Sequence, residues 1–478
     1  MRIRILTIIA LFLLAPALAS AATVRSLSAG MSGADVTALQ EVLITKGYLS
    51  TAATGYFGPA TTAAVKKFQC ANGIVCSGAA YGLVGPATRA ALGLGGSGLE
   101  VSGWIPYWRA AVGSADAEGH MSAFSSIMPF GYVVQNDGSI NDAFGLSSPV
   151  STTSAALLSS AKNANVKVVP TVMWSNGSAI SAILSNASTR QALEDRVANL
   201  VTANGFAGID IDFENKTAET KNYFSTFLKG LRMRLGTKLL YCAVEPRTPV
   251  ADRYDGTPPA DATEYANDYA AIGRYCDRVE IMAYDQQTAD VALDKAKTAA
   301  GGPYVPIADP DWVKAVVNLA AQSIPKSKIV IGIPTYGYEW QVTPLQISGF
   351  SFDLQWAFNP RYATALAASL GITPTRNEAG ELSFIYNPAK VPAAVAAAAA
   401  VGETTASSGT GLTSTTPSYR DGASLPAADG TYNIVWWEDA KAVADKIALA
   451  KTLGVAGVAF FKLDGSEDPG IWATLPAR

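Results

Sequence analysis

This sequence predicts an α/β protein built on a parallel (β/α)8 TIM barrel. An α+β insertion follows the seventh strand, and a small three-helix module precedes the barrel. Three features carry that reading. From Val101 onward, β-rich apolar runs alternate with helical stretches until eight candidate strands have passed, the pattern of successive βα units closing a parallel sheet. Residues 341–435 break that rhythm and are too long for a βα loop. Residues 24–93 carry helical periodicity, and Gly-Leu-Gly-Gly-Ser-Gly at 93–98 sets them apart as a flexible linker would.

The chain has 478 residues, 49% hydrophobic and 16% charged, which suits compact domains with well-filled cores. A net charge of −3 argues against nucleic acid and anionic membranes as partners, because both reward basic patches. The single histidine, His120, excludes a multi-histidine zinc site and leaves little room for a Ser-His-Asp hydrolase. A chain acting as a monomer, without metal or organic cofactor, is expected.

Residues 1–21 read as a signal peptide. Arg2 and Arg4 precede the apolar run Ile5–Leu14, and Ala19-Ser20-Ala21 supplies a small-residue cleavage site. The run ends at Pro16, short of the roughly 20 residues that span a bilayer, so no membrane association is expected after cleavage. The protein is then secreted or held in the cell envelope, where disulfides persist. Cys70 and Cys76 flank Asn72-Gly73 and are expected to close a short loop. Cys242 and Cys276 remain, as a second bridge or as two buried thiols.

The module 24–93 contains an echo: Phe57-Gly58-Pro59-Ala60-Thr61 recurs as Val84-Gly85-Pro86-Ala87-Thr88. Each proline stands where a helix begins, its missing N–H costing little there. Val36, Leu39 and Leu43 have helical spacing after Asp35, and Gly47 stops that helix. Beyond the linker at 94–98, the barrel domain spans 99–476. Its candidate strands are 101–108, 127–134, 166–174, 208–214, 239–244, 279–284, 329–334 and 456–463, with helical stretches such as 155–164, 190–202 and 223–235 between them. Within the insertion, Ala393–Ala400 is an alanine run and Gly402–Gly430 is rich in Ser, Thr and Gly, a composition expected to be mobile.

The chemistry concentrates in Ala207-Gly-Ile-Asp-Ile-Asp-Phe-Glu214. Strand alternation sets Asp210, Asp212 and Glu214 on one face, about 6.6 Å apart, and Ile209, Ile211 and Phe213 on the other. The apolar set belongs against the helices, so the acids line the barrel interior at the carboxyl end, where such barrels act. Neighbouring buried carboxylates repel, and at least one is expected to hold a proton near neutral pH. A calcium site is the main non-catalytic reading, disfavoured because the acids follow one straight strand rather than a turning loop.

Two resemblances extend this. The module is similar to three-helix peptidoglycan-binding modules, from Gly30-Met31-Ser32-Gly33 and Asp35-Val36 through Leu39-Gln40, Gly47-Tyr48, Gly55-Tyr56-Phe57-Gly58 and Phe68-Gln69 to Gly85-Pro86-Ala87-Thr88. That implies docking on cell-wall glycan, or spacing alone, and the glycines and prolines equally serve to build turns. The barrel resembles family 18 glycoside hydrolases through Gly208–Glu214, Met282-Ala283-Tyr284-Asp285 and Gly454–Asp464. Ile331–Trp340, Trp436–Asp439 and Glu467–Trp472 are similar to the branch of spore-cortex-lytic N-acetylglucosaminidases.

The resemblance implies a retaining glycosidase in which the substrate's 2-acetamido oxygen replaces the usual carboxylate nucleophile. Glu214 is then the acid/base, Asp212 holds the acetamido N–H, and Asp210 shares a proton with Asp212. Tyr284 donates to the acetamido oxygen, while Asp285 and Met282 support the same sugar. Phe461 departs from the family, which places a tryptophan under that sugar, so stacking area is reduced. Ala207 departs from a common aspartate outside the catalytic set. Trp104, Trp174, Tyr336 and Trp340 lie near strand ends as sugar platforms or as ordinary packing. The expected partner is the glycan strand of peptidoglycan. Chitin is the alternative substrate, and a catalytically silent, lectin-like protein is the alternative class.

Overall fold

The computed structural model describes residues 26–92, 99–148, 150–254, 256–288, 290–345, 349–391, 418–420 and 430–476. The expected signal peptide, the linker, the alanine run and most of Gly402–Gly430 lie outside them. The chain divides into two compact units between Ser97 and Gly98.

In the first unit three helices, α1 (Ala34–Thr45), α2 (Pro59–Ala71) and α3 (Pro86–Leu92), surround Leu27, Leu39, Leu43, Phe57, Val65, Phe68 and Val84. The internal echo has a physical cause in two buried glutamines. Gln40 Oε1 accepts from Gly55 N at 2.8 Å, while its Nε2 donates to Tyr56 O and Thr61 Oγ1 at 2.8 and 2.9 Å. Gln69 repeats this with Gly82 N at 2.7 Å, Leu83 O at 2.8 Å and Thr88 Oγ1 at 2.9 Å. Each copy is thus a loop wrapped round an amide whose donors and acceptor are used in place of water. Gly55 and Gly82 take φ of 73° and 96°, which side-chain-bearing residues adopt only with strain. Cys70 and Cys76 form a disulfide beside the end of α2.

The second unit is a closed barrel of eight parallel strands. They are β1 (Glu100–Pro106), β2 (Ser126–Val134), β3 (Thr171–Trp174), β4 (Gly208–Phe213), β5 (Leu239–Val244), β6 (Arg278–Ile281), β7 (Ile329–Pro334) and β8 (Gly457–Phe461). Each pairs with the next, and β8 and β2 both pair with β1 to close the ring. The expected strand 166–174 is split, with a short piece Lys167–Val168 set apart from β3; Pro170 lies between and offers no ladder donor. The sixth strand ends at Ile281, before the expected Tyr284, because Ala283 N and Tyr284 N turn back onto Ile281 O and Met282 O. A disulfide ties Cys242 in β5 to Cys276 just before β6.

Alternation along the strands divides the apolar residues into two layers. Ile209, Ile211 and Phe213 join Phe224, Phe227 and Leu228 of helix Lys221–Leu235 in the outer layer. The interior holds Trp104, Met128, Phe130, Tyr241, Met282, Tyr284 and Phe461. The inward-facing acids of β4 lie among these rings.

The insertion is a six-stranded antiparallel sheet in the order 375–376, 382–386, 432–437, 337–344, 350–358, 418–420, with helix Pro360–Leu370 against it. Its bounds lie outside the expected 341–435, since Gly337 pairs with Trp437 and Tyr338 with Trp436. The two segments that leave and re-enter the barrel form the sheet's central pair.

Candidate active site

β4 delivers the acids. Asp210 and Asp212 are buried, and register sets Thr171 beside Asp210 and Met173 beside Asp212. Asp210 Oδ2 accepts from Trp104 Nε1 at 3.0 Å and from Thr171 Oγ1 at 2.8 Å. Burial raises its pKa to about 6 against those lowering hydrogen bonds and one from Glu280. Glu280, inward-facing on β6 and fully buried, is pushed well above the carboxylate range by burial, then by the charge of Asp210 and its hydrogen bond to it. In both groups burial favours the proton-bearing form.

Asp212 is also held well above its ordinary range, first by burial and then by the charges of Glu214, Asp210 and Glu245, with Lys216 opposing. Asp210 was expected to share its proton with Asp212. Its Oδ2 accepts from Trp104 and Thr171, and its charge raises the pKa of Asp212. Sequence reasoning missed Glu280, although it has the same strand parity as Met282 and Tyr284.

Glu214 lies one residue past β4, its N–H bound to Trp174 O at 2.8 Å. The chain then turns sharply at Asn215, whose φ is 57°. A Cβ on Gly177 would come within 2.0 Å of Asn215 O, so only glycine lets the neighbouring loop approach this corner. Trp104, Phe130, Asp212, Glu214, Ala243, Met282, Tyr284 and Phe461 line one pocket. The Tyr284 ring stacks on Phe461 with centroids 5.5 Å apart. Its hydroxyl is pushed well above its usual pKa by burial and by Asp212, Asp285 and Glu214, so it remains a proton donor. Asp285 takes φ of 60° and its Oδ1 accepts from Tyr336 and Tyr338 hydroxyls, each at 2.6 Å.

Of the four expected platforms, Trp104 lines the pocket, and Tyr336 stands behind it on Asp285. Trp340 is 1% exposed among the interior rings beside Tyr338, outside the pocket lining. Trp174 requires correction: it shares the helix-facing layer with Phe213, its ring 5.5 Å away. The neighbouring Met173, not Trp174, has the parity of the acids. Among the described residues, no group of three His, Cys, Asp or Glu side chains is arranged to hold a metal.

Residues 126–466 match the profile of glycosyl hydrolases family 18. The chain belongs to that family. As a family 18 protein it is a glycosidase, and residues 32–92 match the putative peptidoglycan binding domain. An uncharacterized glycosylase of Bacillus subtilis, YvbX, is 26% identical over 300 residues, covering 63% of this chain and 69% of the relative. The cortical fragment-lytic enzyme of the same organism is 23% identical over 61% of this chain, which spans 54% of that enzyme. The crystal structure of the Bacillus cereus spore cortex-lytic enzyme SleL superposes with a TM-score of 0.54 at 20% identity, covering 79% of this chain and 74% of that one. At that identity the likeness concerns the fold.

Proposed function

We propose that this protein is an exported, retaining N-acetylglucosaminidase that cuts the β-1,4 bond after N-acetylglucosamine within peptidoglycan, its acetamido group serving as nucleophile. The observation that carries this reading is the meeting of Glu214, Asp212 and Tyr284 in one pocket, where burial and neighbouring acids push Asp212 towards its protonated form. A carboxyl group pushed towards its protonated form is a poorer nucleophile, and the substrate's own carbonyl oxygen takes that role in this reading.

That oxygen bonds to C1 as the C1–O bond breaks, and Glu214 passes its proton to the departing oxygen. Tyr284 donates to the acetamido oxygen, and Asp212 accepts from the acetamido N–H. Water then attacks C1, loses its proton to Glu214, and the acetamido group is restored with retained configuration. The Phe461 and Trp104 rings shape the sugar's bed. The wall-binding match at 32–92 and the cortex-lytic relative support peptidoglycan as substrate, and the basic-then-apolar leader supports export.

Mass spectrometry of purified peptidoglycan digested by the mature protein, with borohydride marking new reducing ends, tests this. Reduced N-acetylglucosamine ends are expected. Cleavage confined to chitin oligosaccharides would make it a chitinase, and inertness on both would favour the lectin-like class.

A further inference from the structure

Beyond the pocket, the carboxyl ends of β4 and β5 bring together a charged group that the cleavage chemistry leaves unused. Lys216, two residues past Glu214, has a fully buried side chain whose Nζ is 3.8 Å from Glu245 Oε1 and 4.7 Å from the Phe224 ring centroid. Glu245, the first residue past β5, also accepts from Asn267 Nδ2. Its charge faces Lys216 and also bears on Arg247, without forming an ion pair with the latter.

Arg247 lies two residues further, half-buried, with its guanidinium carbon 3.4 Å from the Tyr265 ring centroid and 4.2 Å from that of Tyr269. Its Nη2 donates to Asn267 O at 2.9 Å. Among the described residues its remaining N–H groups have no hydrogen-bond partner, and no carboxylate forms an ion pair with it. Arg253 donates to the Tyr265 hydroxyl and to Ala262 O, each at 2.7 Å, and so fixes the ring on which Arg247 rests. A planar cation clamped on rings, with its fork of donors open, is pre-organised for a carboxylate.

We propose that Arg247 is a specificity residue: it binds the carboxylate carried by the 3-O-substituent of the sugar adjoining the bond that is cut. The assignment rests on the peptidoglycan reading, since chitin has no such anion. The carboxylate belongs to the lactyl group in peptide-free strands, or to an acidic residue of the stem peptide where the lactyl group is amidated. In either case Arg247 adds binding without touching the reacting atoms.

The test compares wild type and Arg247→Gln on four tetrasaccharides: chitotetraose, a peptide-free wall fragment, the same fragment with its lactyl carboxylates reduced to alcohols, and a peptide-bearing fragment. Arg247→Gln is expected to lower kcat/KM about tenfold or more on a carboxylate-bearing substrate, mainly through KM. Chitotetraose and the reduced fragment are expected to change less than about twofold. Loss on the peptide-free fragment assigns the lactyl carboxylate, and loss only on the peptide-bearing one assigns the stem. Equal loss on the neutral substrates, or no loss on any, overturns the proposal. A second measurement needs no variant: raising salt from 0.05 to 0.5 M is expected to raise wild-type KM for the charged fragment alone, and parallel curves overturn it. Wild type that cuts chitotetraose but no wall fragment overturns the substrate reading and this inference together. Cleavage of both with Arg247→Gln unimpaired overturns this inference alone.

Discussion

Two buried carboxylate sites in the same unit are built to opposite ends. In the insertion sheet, Glu339 is buried and its two oxygens accept from Trp356 Nε1 at 3.0 Å, Tyr362 Oη at 2.7 Å, Asn433 Nδ2 at 2.5 Å and the Tyr386 hydroxyl. Every donor is neutral, and together they replace the water the carboxylate gave up. In the barrel, Asp212 is as deeply buried but stands among Asp210, Glu214 and Glu245, and among the described residues its Oδ1 has no hydrogen-bond partner. One site spends its donors on stability, which marks it as a structural joint. The other gathers acids and leaves acceptor capacity open, at a cost to the fold that proton uptake or a bound substrate relieves.

Breaking the barrel site is expected to have the largest effect. Glu214→Gln should lower turnover at least about 100-fold while the fold is retained, its melting point no lower than that of the wild type. Near-normal turnover in that variant would remove Glu214 from the acid/base role.

Asp210→Asn sharpens the contrast. The folded pKa of about 6 lies above the ordinary 3.8, so the folded state holds a proton that the unfolded chain releases. The resulting cost is absent below pH 3.8 and complete above pH 6. Removing this charge is expected to stabilise the protein by about 2–3 kcal/mol at pH 7, at 1.36 kcal/mol per pKa unit, and by nothing near pH 3, while activity falls. Denaturant melts at the two pH values decide it, and a pH-independent gain would refute the assignment.

Glu339→Gln turns amide donors onto existing donors and is expected to cost about 2 kcal/mol with kcat/KM on the same glycan unchanged. An activity loss larger than the stability loss would mean the insertion site takes part in catalysis. Smallest, Phe461→Ala should raise KM by roughly tenfold, the scale of one aromatic contact, whereas Trp174→Phe should leave KM alone. A KM rise in the second variant would return Trp174 to the substrate side.

Much of the barrel site was legible before folding. A strand's period of two sorts Asp210, Asp212 and Glu214 from Ile209, Ile211 and Phe213 using only local geometry. The same period, applied to Val279-Glu280-Ile281, would have exposed Glu280. Trp174 stayed open between platform and packing because its position near a strand end was noted without its parity, which decides for packing. The insertion was legible only as a break in rhythm, because its sheet pairs strands about a hundred residues apart.

The sequence by itself determined the alternation of strands and helices, the inward face of β4 and the paired Gly-Pro turns of the module, all of which depend on residues a few positions apart. The tertiary structure decided which carboxyls are pushed towards the protonated form, which rings meet Asp285 and Glu339, and where Arg247 finds its tyrosines. Those outcomes depend on burial and on distances between groups far apart in the chain, and charge energies change steeply with both.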